Sequence, residues 1–335
     1  MADIVEIIND TNMPHNKIIA DNMIIAYHKI NSPLYKNIMC SVSGGSDSDV
    51  MLDIVYKCDK SKKVRYVWFD TGLEYDATKK HIEYLEDRYS IKIERERAVK
   101  PIPVCVREYG QPFLSKQVSE YISNLQRHGF DFIDGTFEDL FELYPKCKAS
   151  LKWWCDKGDG PMYCINYHRY LKEFMLLNPP KFRVSSKCCD YAKKKVNKNY
   201  VKNNNIDLVI IGVRKSEGGV RSTAYESCFS ENEDREDNYR PLFWYTNDTK
   251  IDYVTTFGIK HSDCYTVYKF KRTGCFCCPY GWAHNELIRE LIAIKKYEPK
   301  LYNACWNIFG DSYDYLFEYL KFREEKIKGK RKRLF

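Results

Sequence analysis

No apolar run in the 335 residues approaches the roughly 18 that a membrane-spanning helix needs, so no membrane association is expected. The opening residues, Met1-Ala2-Asp3-Ile4-Val5-Glu6, have neither the basic stretch nor the apolar core of a secretory signal. The expectation is a cytoplasmic protein. No internal repeat and no low-complexity linker is found, which excludes a repeat architecture. The one serine-flanked glycine pair followed by an apolar run lacks a Lys-Ser/Thr at Walker spacing, which excludes an ordinary P-loop.

Cysteine, by contrast, is plentiful. Fourteen cysteines in an intracellular chain point to metal or redox chemistry before disulfides. The length allows one large domain or two smaller ones. The formal net charge is +8, and much of it lies at the end, in Lys326, Lys328, Lys330, Arg331, Lys332 and Arg333. Such a tail is a candidate contact for a nucleic-acid backbone, and equally a solvated terminus. With 27 tyrosines, no single one is evidence for base stacking.

The most informative stretch is Ser43-Gly44-Gly45-Ser46-Asp47-Ser48, set between the apolar runs 38–42 and 50–55. The pattern predicts a strand, a tight turn and a helix. Two glycines let the backbone take positive φ and come close to a bound group. The helix start adds free N–H groups and the positive end of its dipole, a combination suited to phosphate. A second apolar run, 64–69, enters Asp70-Thr71-Gly72-Leu73-Glu74. A third, Asp207 to Val213, ends in a Gly212-Val213-Arg214 turn and continues through Lys215 to Arg221. Arg240-Pro241-Leu242-Phe243-Trp244 and Arg272-Thr273-Gly274-Cys275-Phe276-Cys277-Cys278 follow.

In order and spacing these segments resemble the phosphoadenylyl-sulfate (PAPS) and adenylyl-sulfate reductase branch of the PP-loop adenine nucleotide α-hydrolase superfamily. The likeness runs from about Ser43 to about Tyr280. It implies an α/β fold, adenine nucleotide α-hydrolase-like: a mainly parallel sheet with helices on both faces, a Cys-rich helical insertion and a helical C-terminal region. The expected division is a nucleotide-binding domain over residues 1–280, with the insertion at about 101–180, and a C-terminal subdomain over 281–335. Residue patterns agree on a helix at Lys17–Lys29, helices at Asp49–Lys57 and Thr78–Arg88, and a short strand at Ile91–Ile93. Residues 203–205 and 230–237 read as surface loops. Cys40 and Cys58 read as packing residues, and Cys147, Cys155, Cys164 and His168 as part of an aromatic core around Trp153-Trp154.

The resemblance also assigns residues. Ser43, Gly44, Gly45, Ser46, Asp47, Ser48, Asp70, Gly212 and Arg214 would bind the nucleotide: ATP, adenylyl sulfate or PAPS. Asp47, Arg214 and Arg221 would serve catalysis, Asp47 as a candidate Mg²⁺ ligand and the arginines as clamps on phosphate or sulfate oxygens. Cys188, Cys189, Cys275 and Cys278 would hold a [4Fe–4S] cluster, four thiolates being what it needs. Structural zinc, or no metal at all, stays open, as does substitution of Cys277 for one ligand. An adjacent cysteine pair is awkward for one tetrahedral ion, which favours the cluster over zinc.

One departure bears on function. Reductases of this branch carry a nucleophilic cysteine near the C-terminus. Here the last cysteine is Cys305, in a stretch that reads as packed helix. The expected activity is therefore ATP cleavage between the α- and β-phosphates coupled to sulfur transfer onto nucleic acid or another acceptor, with a sulfur-donor or partner protein. This combination is similar to the DNA-phosphorothioation sulfurtransferase subunit. A true sulfonucleotide reductase and a non-catalytic nucleotide-sensing protein are the alternatives.

Overall fold

The computed structural model describes residues 16–218, 224–233, 235–284 and 286–332. The chain divides into two compact units: residues 1–99 with 192–273, and residues 100–191 with 274–335.

The first unit is built on a six-stranded sheet in the order β3-β2-β1-β4-β6-β5. The strands are β1 (Ile38–Val42), β2 (Val64–Asp70), β3 (Ile93–Arg97), β4 (Leu208–Ile210), β5 (Phe229–Ser230) and β6 (Asp237–Tyr239). Every pairing is parallel except β5 with β6. Alternation along the strands decides which face each residue serves. Ile38, Cys40, Val42, Tyr66, Trp68, Leu208 and Ile210 pack against α1 (Lys17–Asn31), α2 (Ser46–Cys58), α3 (Asp76–Tyr89) and Tyr253 of α5 (Asn247–Thr256). Met39, Val67 and Val209 face the other way, onto Tyr200 and Val201 of α4 (Lys195–Asn203). Both faces are thus covered, as a parallel sheet requires. Cys40 and Cys58 are fully buried in the first of these cores, where burial holds the Cys58 thiol up at about 12.

Strand order reverses between β1 and β4. Open parallel sheets bind ligands at the carboxyl edge beside such a reversal. β1 runs there into Ser43-Gly44-Gly45 and β4 toward Gly212 and Arg214.

Three expected elements shift. The helix after the glycine turn begins at Ser46, three residues early, because Gly45 already takes the cap position. The strand expected at Ile91–Ile93 begins at Ile93. Ser90 closes α3 in the left-handed conformation, and the Ile91 N–H is spent on Glu86 O, so pairing starts two residues later. The loop read over 230–237 loses both ends to strands: Ser230 closes β5 and Asp237 opens β6, whose polar residues give no apolar signal.

In the second unit the segment read as an insertion and the segment from 281 onward belong together. Trp153 and Trp154 are fully buried, and Trp154 meets Phe130 edge-on. The 34-residue helix Pro299–Lys332 sets Tyr315, Tyr319 and Phe322 around Phe174. No described helix is long and apolar enough to cross a membrane. Of the basic residues near the end, Lys326 pairs with Glu173 and Lys328 with Glu324. The side chains of Lys330, Arg331, Lys332 and Arg333 lie outside the described residues.

His168 lies in this unit, its ring tilted against Trp282. Burial, aided by the Arg323 charge, lowers its pKa to about 4. The folded state therefore keeps the ring neutral while the unfolded chain takes a proton near pH 6.5. Stability from this group is complete above about 6.5 and drains away as pH falls toward 4, by up to about 3 kcal/mol. Urea titrations at pH 7 and 4.5 are expected to show a smaller acid loss in His168→Gln than in the wild type.

Candidate nucleotide site and cysteine cluster

The glycine turn is shaped by needs that can be located residue by residue. Gly44 sits at φ +65°, and a Cβ there would come within 3.1 Å of Thr78 Cγ2. Gly45 caps α2 without a side chain, leaving the helix N-terminus open. Two serines brace the turn: Ser48 Oγ accepts from the Ser43 N–H at 2.9 Å, and Ser43 Oγ from the Gly45 N–H at 3.3 Å. A Cβ on Gly212 would lie 3.4 Å from the Asp47 carbonyl oxygen, so this glycine lets the end of β4 approach the first turn of α2.

Asp47 does not stand free. Arg214 Nε donates to Asp47 Oδ2 at 3.0 Å, and Lys250 Nζ stands 2.5 Å from Oδ1. The second contact is one of charge: Oδ1 has no hydrogen bond of acceptable angle. Lys250 also donates to Ser46 Oγ at 2.7 Å. Arg214, itself buried, donates through Nη1 to Ser216 and Asn247, both at 3.0 Å. Two cations and one carboxylate therefore meet at the first turn of α2, a net positive cluster beside a helix N-terminus.

Two residues further along α2, fully buried Asp49 joins two histidines. Its Oδ1 lies 2.9 Å from His81 Nε2 and its Oδ2 2.8 Å from His261 Nδ1. Tyr265 and Thr273 close the arrangement over Gly45, their hydroxyls 3.1 Å apart.

The structure thus brings together Ser43, Gly44, Gly45, Ser46, Asp47, Ser48, Gly212 and Arg214. Asp70 ends β2 at the same sheet edge, but its Oδ1 accepts the Gly72 N–H of its own turn. Beside it Thr71 donates to Glu74, whose carboxyl burial raises. Arg221 lies outside the described residues. Lys250, Asn247, Asp49, His81, His261, Tyr265 and Thr273 were not found from sequence. Lys250 and His261 lie some 200 residues from the turn, and only the fold brings them to it.

The cysteines occupy the second unit. Cys188 is buried, and Cys189, Cys275 and Cys278 are half-buried. The Cys188 thiol is pushed far up, first by its hydrogen bond with Cys189, then by burial and by the charges of Cys189, Cys278 and Cys275. Burial raises Cys278 as well, with Cys275 and Cys189 adding to it. The Cys278 N–H donates to Cys275 O, closing a tight turn between those two residues. Cys277 points its backbone elsewhere: φ is +41°, and its carbonyl accepts from Tyr313 Oη at 2.6 Å. Among the described residues, no group of three or more His, Cys, Asp or Glu side chains could hold a metal ion as arranged. Cys305, inside the Pro299–Lys332 helix, is fully buried.

Residues 37–115 match the phosphoadenosine phosphosulfate reductase domain. The resemblance drawn from the motifs is borne out over that stretch. An uncharacterized protein of Methanocaldococcus jannaschii, MJ0066, is 36% identical over 113 residues. That alignment covers 34% of this chain and 22% of the relative, so this chain spans only about a fifth of it. Among solved structures, PAPS reductase from Candida auris is similar with a TM-score of 0.43 at 13% identity, covering 81% of this chain and 95% of that one. The U34-tRNA thiolase NcsA from Methanococcus maripaludis, solved with its [4Fe-4S] cluster, gives 0.37 at 14% identity, covering 92% and 79%. FMN adenylyltransferase from Candida glabrata in complex with ATP gives 0.39 at 12%, covering 82% and 69%.

Proposed function

We propose that this PAPS reductase-like chain binds an adenine nucleotide at the carboxyl edge of its sheet, cleaves ATP between the α- and β-phosphates, and passes sulfur to the adenylylated acceptor. The observation that carries the reading is the N-terminus of α2 behind Gly44-Gly45, capped by no side-chain hydrogen bond from Gly45, with Lys250 and Arg214 beside it. In this reading an acceptor oxygen attacks the α-phosphorus, the α–β bridging P–O bond breaks, and pyrophosphate leaves with the bonding electrons. A sulfide-level donor then displaces AMP from the acceptor. Backbone N–H groups of the turn and the Lys250 ammonium would face the charge that grows on pyrophosphate.

A Mg²⁺ ligand role does not suit Asp47, because both its oxygens are already held by cations. The carboxylate instead positions Lys250 and Arg214. Asp47→Asn should weaken that hold and lower pyrophosphate release about tenfold or more, an effect of ~1.4 kcal/mol on the barrier.

Cys188, Cys189, Cys275 and Cys278 would hold a [4Fe–4S] cluster. Four thiolates suit a cluster, and the adjacent Cys188-Cys189 pair is awkward for two ligands of one tetrahedral zinc ion.

Buried, helix-locked Cys305 is not placed as a sulfonucleotide nucleophile, which disfavours the reductase reading. The test is anaerobic incubation with ATP, adenylyl sulfate or PAPS. Pyrophosphate from ATP is the expected product. Sulfite from PAPS with a thiol reductant, lost in Cys305→Ser, would reverse the assignment.

A further inference from the structure

The phosphate seat is filled by the protein itself. A Cβ built on Gly45 would meet Ser43 Oγ at 3.2 Å, Thr273 Oγ1 at 3.2 Å and Tyr265 Oη at 3.4 Å, so three hydroxyls converge where a ligand would approach the turn. The Tyr265 hydroxyl therefore stands over Gly45, the residue that caps α2 just before Ser46. It also accepts the Thr273 N–H at 3.1 Å, and its hydroxyl pairs with Thr273 Oγ1 at 3.1 Å. A phenol has two lone pairs and one proton, and Thr273 engages two of those three sites. Its oxygen thus lies over the residue that caps α2, where a phosphate oxygen would approach the turn.

The plug is built in. Ser262 caps the short helix Asp263–Thr266 that carries Tyr265, and the turn after it closes through a Phe270 N–H to Cys264 O bond. Phe270 is buried against Tyr75. Tyr265 therefore projects from a fixed base, whereas Thr273 lies in irregular chain.

We infer that Tyr265 and Thr273 form an internal plug of the anion seat, and that a di- or triphosphate enters by displacing the Tyr265 hydroxyl. The inference rests on the reading of the glycine turn as a phosphate site. Its energetic logic is exchange: a neutral acceptor at a helix N-terminus gives way to a charged one, whose hydrogen bonds are stronger. Until then the plug lowers apparent affinity by the fraction of molecules in which it is open. The plug would keep Ser46 and Lys250 from taking up smaller, singly charged anions.

The probe is inorganic pyrophosphate, titrated by calorimetry into wild type, Tyr265→Phe, Thr273→Val and Gly45→Val, each first checked for an unchanged near-ultraviolet spectrum. Tyr265→Phe keeps the ring and removes the competing oxygen. It is expected to bind pyrophosphate about tenfold more tightly than wild type. Thr273→Val, which takes one partner from the phenol, should shift affinity in the same direction by less. Gly45→Val should lose binding. Weaker or unchanged binding by Tyr265→Phe overturns the plug and makes Tyr265 a ligand donor or a bystander. Binding that survives in Gly45→Val, or is missing from every variant, overturns the phosphate seat itself.

Discussion

Cys188→Ser and Cys278→Ser are expected to strip the metal from a brown, anaerobically purified protein that holds about four irons per chain. Cys58→Ser should leave the iron in place. The contrast comes from surroundings. Cys188 and Cys278 are raised by burial and by neighbouring sulfurs, so both thiols resist ionisation until something positive is bound between them and their partners. A cluster supplies that charge and releases the protons. Cys58 sits in the hydrophobic core of the first unit, its thiol near Met23 O and raised chiefly by burial. Iron and acid-labile sulfide assays on the three variants check the expectation. Stoichiometric zinc without iron in the wild type, or iron retained by both Cys188→Ser and Cys278→Ser, would sink it.

The parts of this molecule that repeat with the sheet were legible in the sequence. β1, β2 and β4 announced themselves as apolar runs ending in glycine or aspartate turns, and those turns lie at the candidate site. Local signals failed where the cause was not local. β6 is three residues, two of them polar, and is a strand because β4 pairs with it. Lys250 reads as one lysine among many until α5 places it 2.5 Å from Asp47. Asp49 looks like a second acid on a solvated helix, yet it is fully buried between two histidines that lie 32 and 212 positions away. The positioning role proposed for Asp47 likewise depends on Arg214 and Lys250, cations that only the fold brings to it.

The second large effect is expected at the glycine turn: Gly45→Val should weaken adenine nucleotide binding at least a hundredfold, ~2.7 kcal/mol, while the protein still folds. The two glycines differ in what a side chain would do. Gly44 is at φ +65°, so valine there would strain the backbone as well as press on Thr78, and lost binding could mean lost structure. Gly45 is at φ −88° and ψ 157°, an extended conformation open to valine. Its nearest neighbours are hydroxyls at 3.2 to 3.4 Å, which must give by only a few tenths of an ångström. Valine is a poorer helix cap than glycine, at a cost of about 1 kcal/mol, which a domain with a covered six-stranded sheet absorbs. What valine does not leave is room for a phosphate group, because its methyls stand where the phosphate would have to come once the Tyr265 hydroxyl has moved aside. Circular dichroism and thermal melting should therefore stay close to wild type while ATP titration fails. An unchanged ATP affinity in a folded Gly45→Val protein would remove the nucleotide from this edge of the sheet, and with it the reaction proposed there.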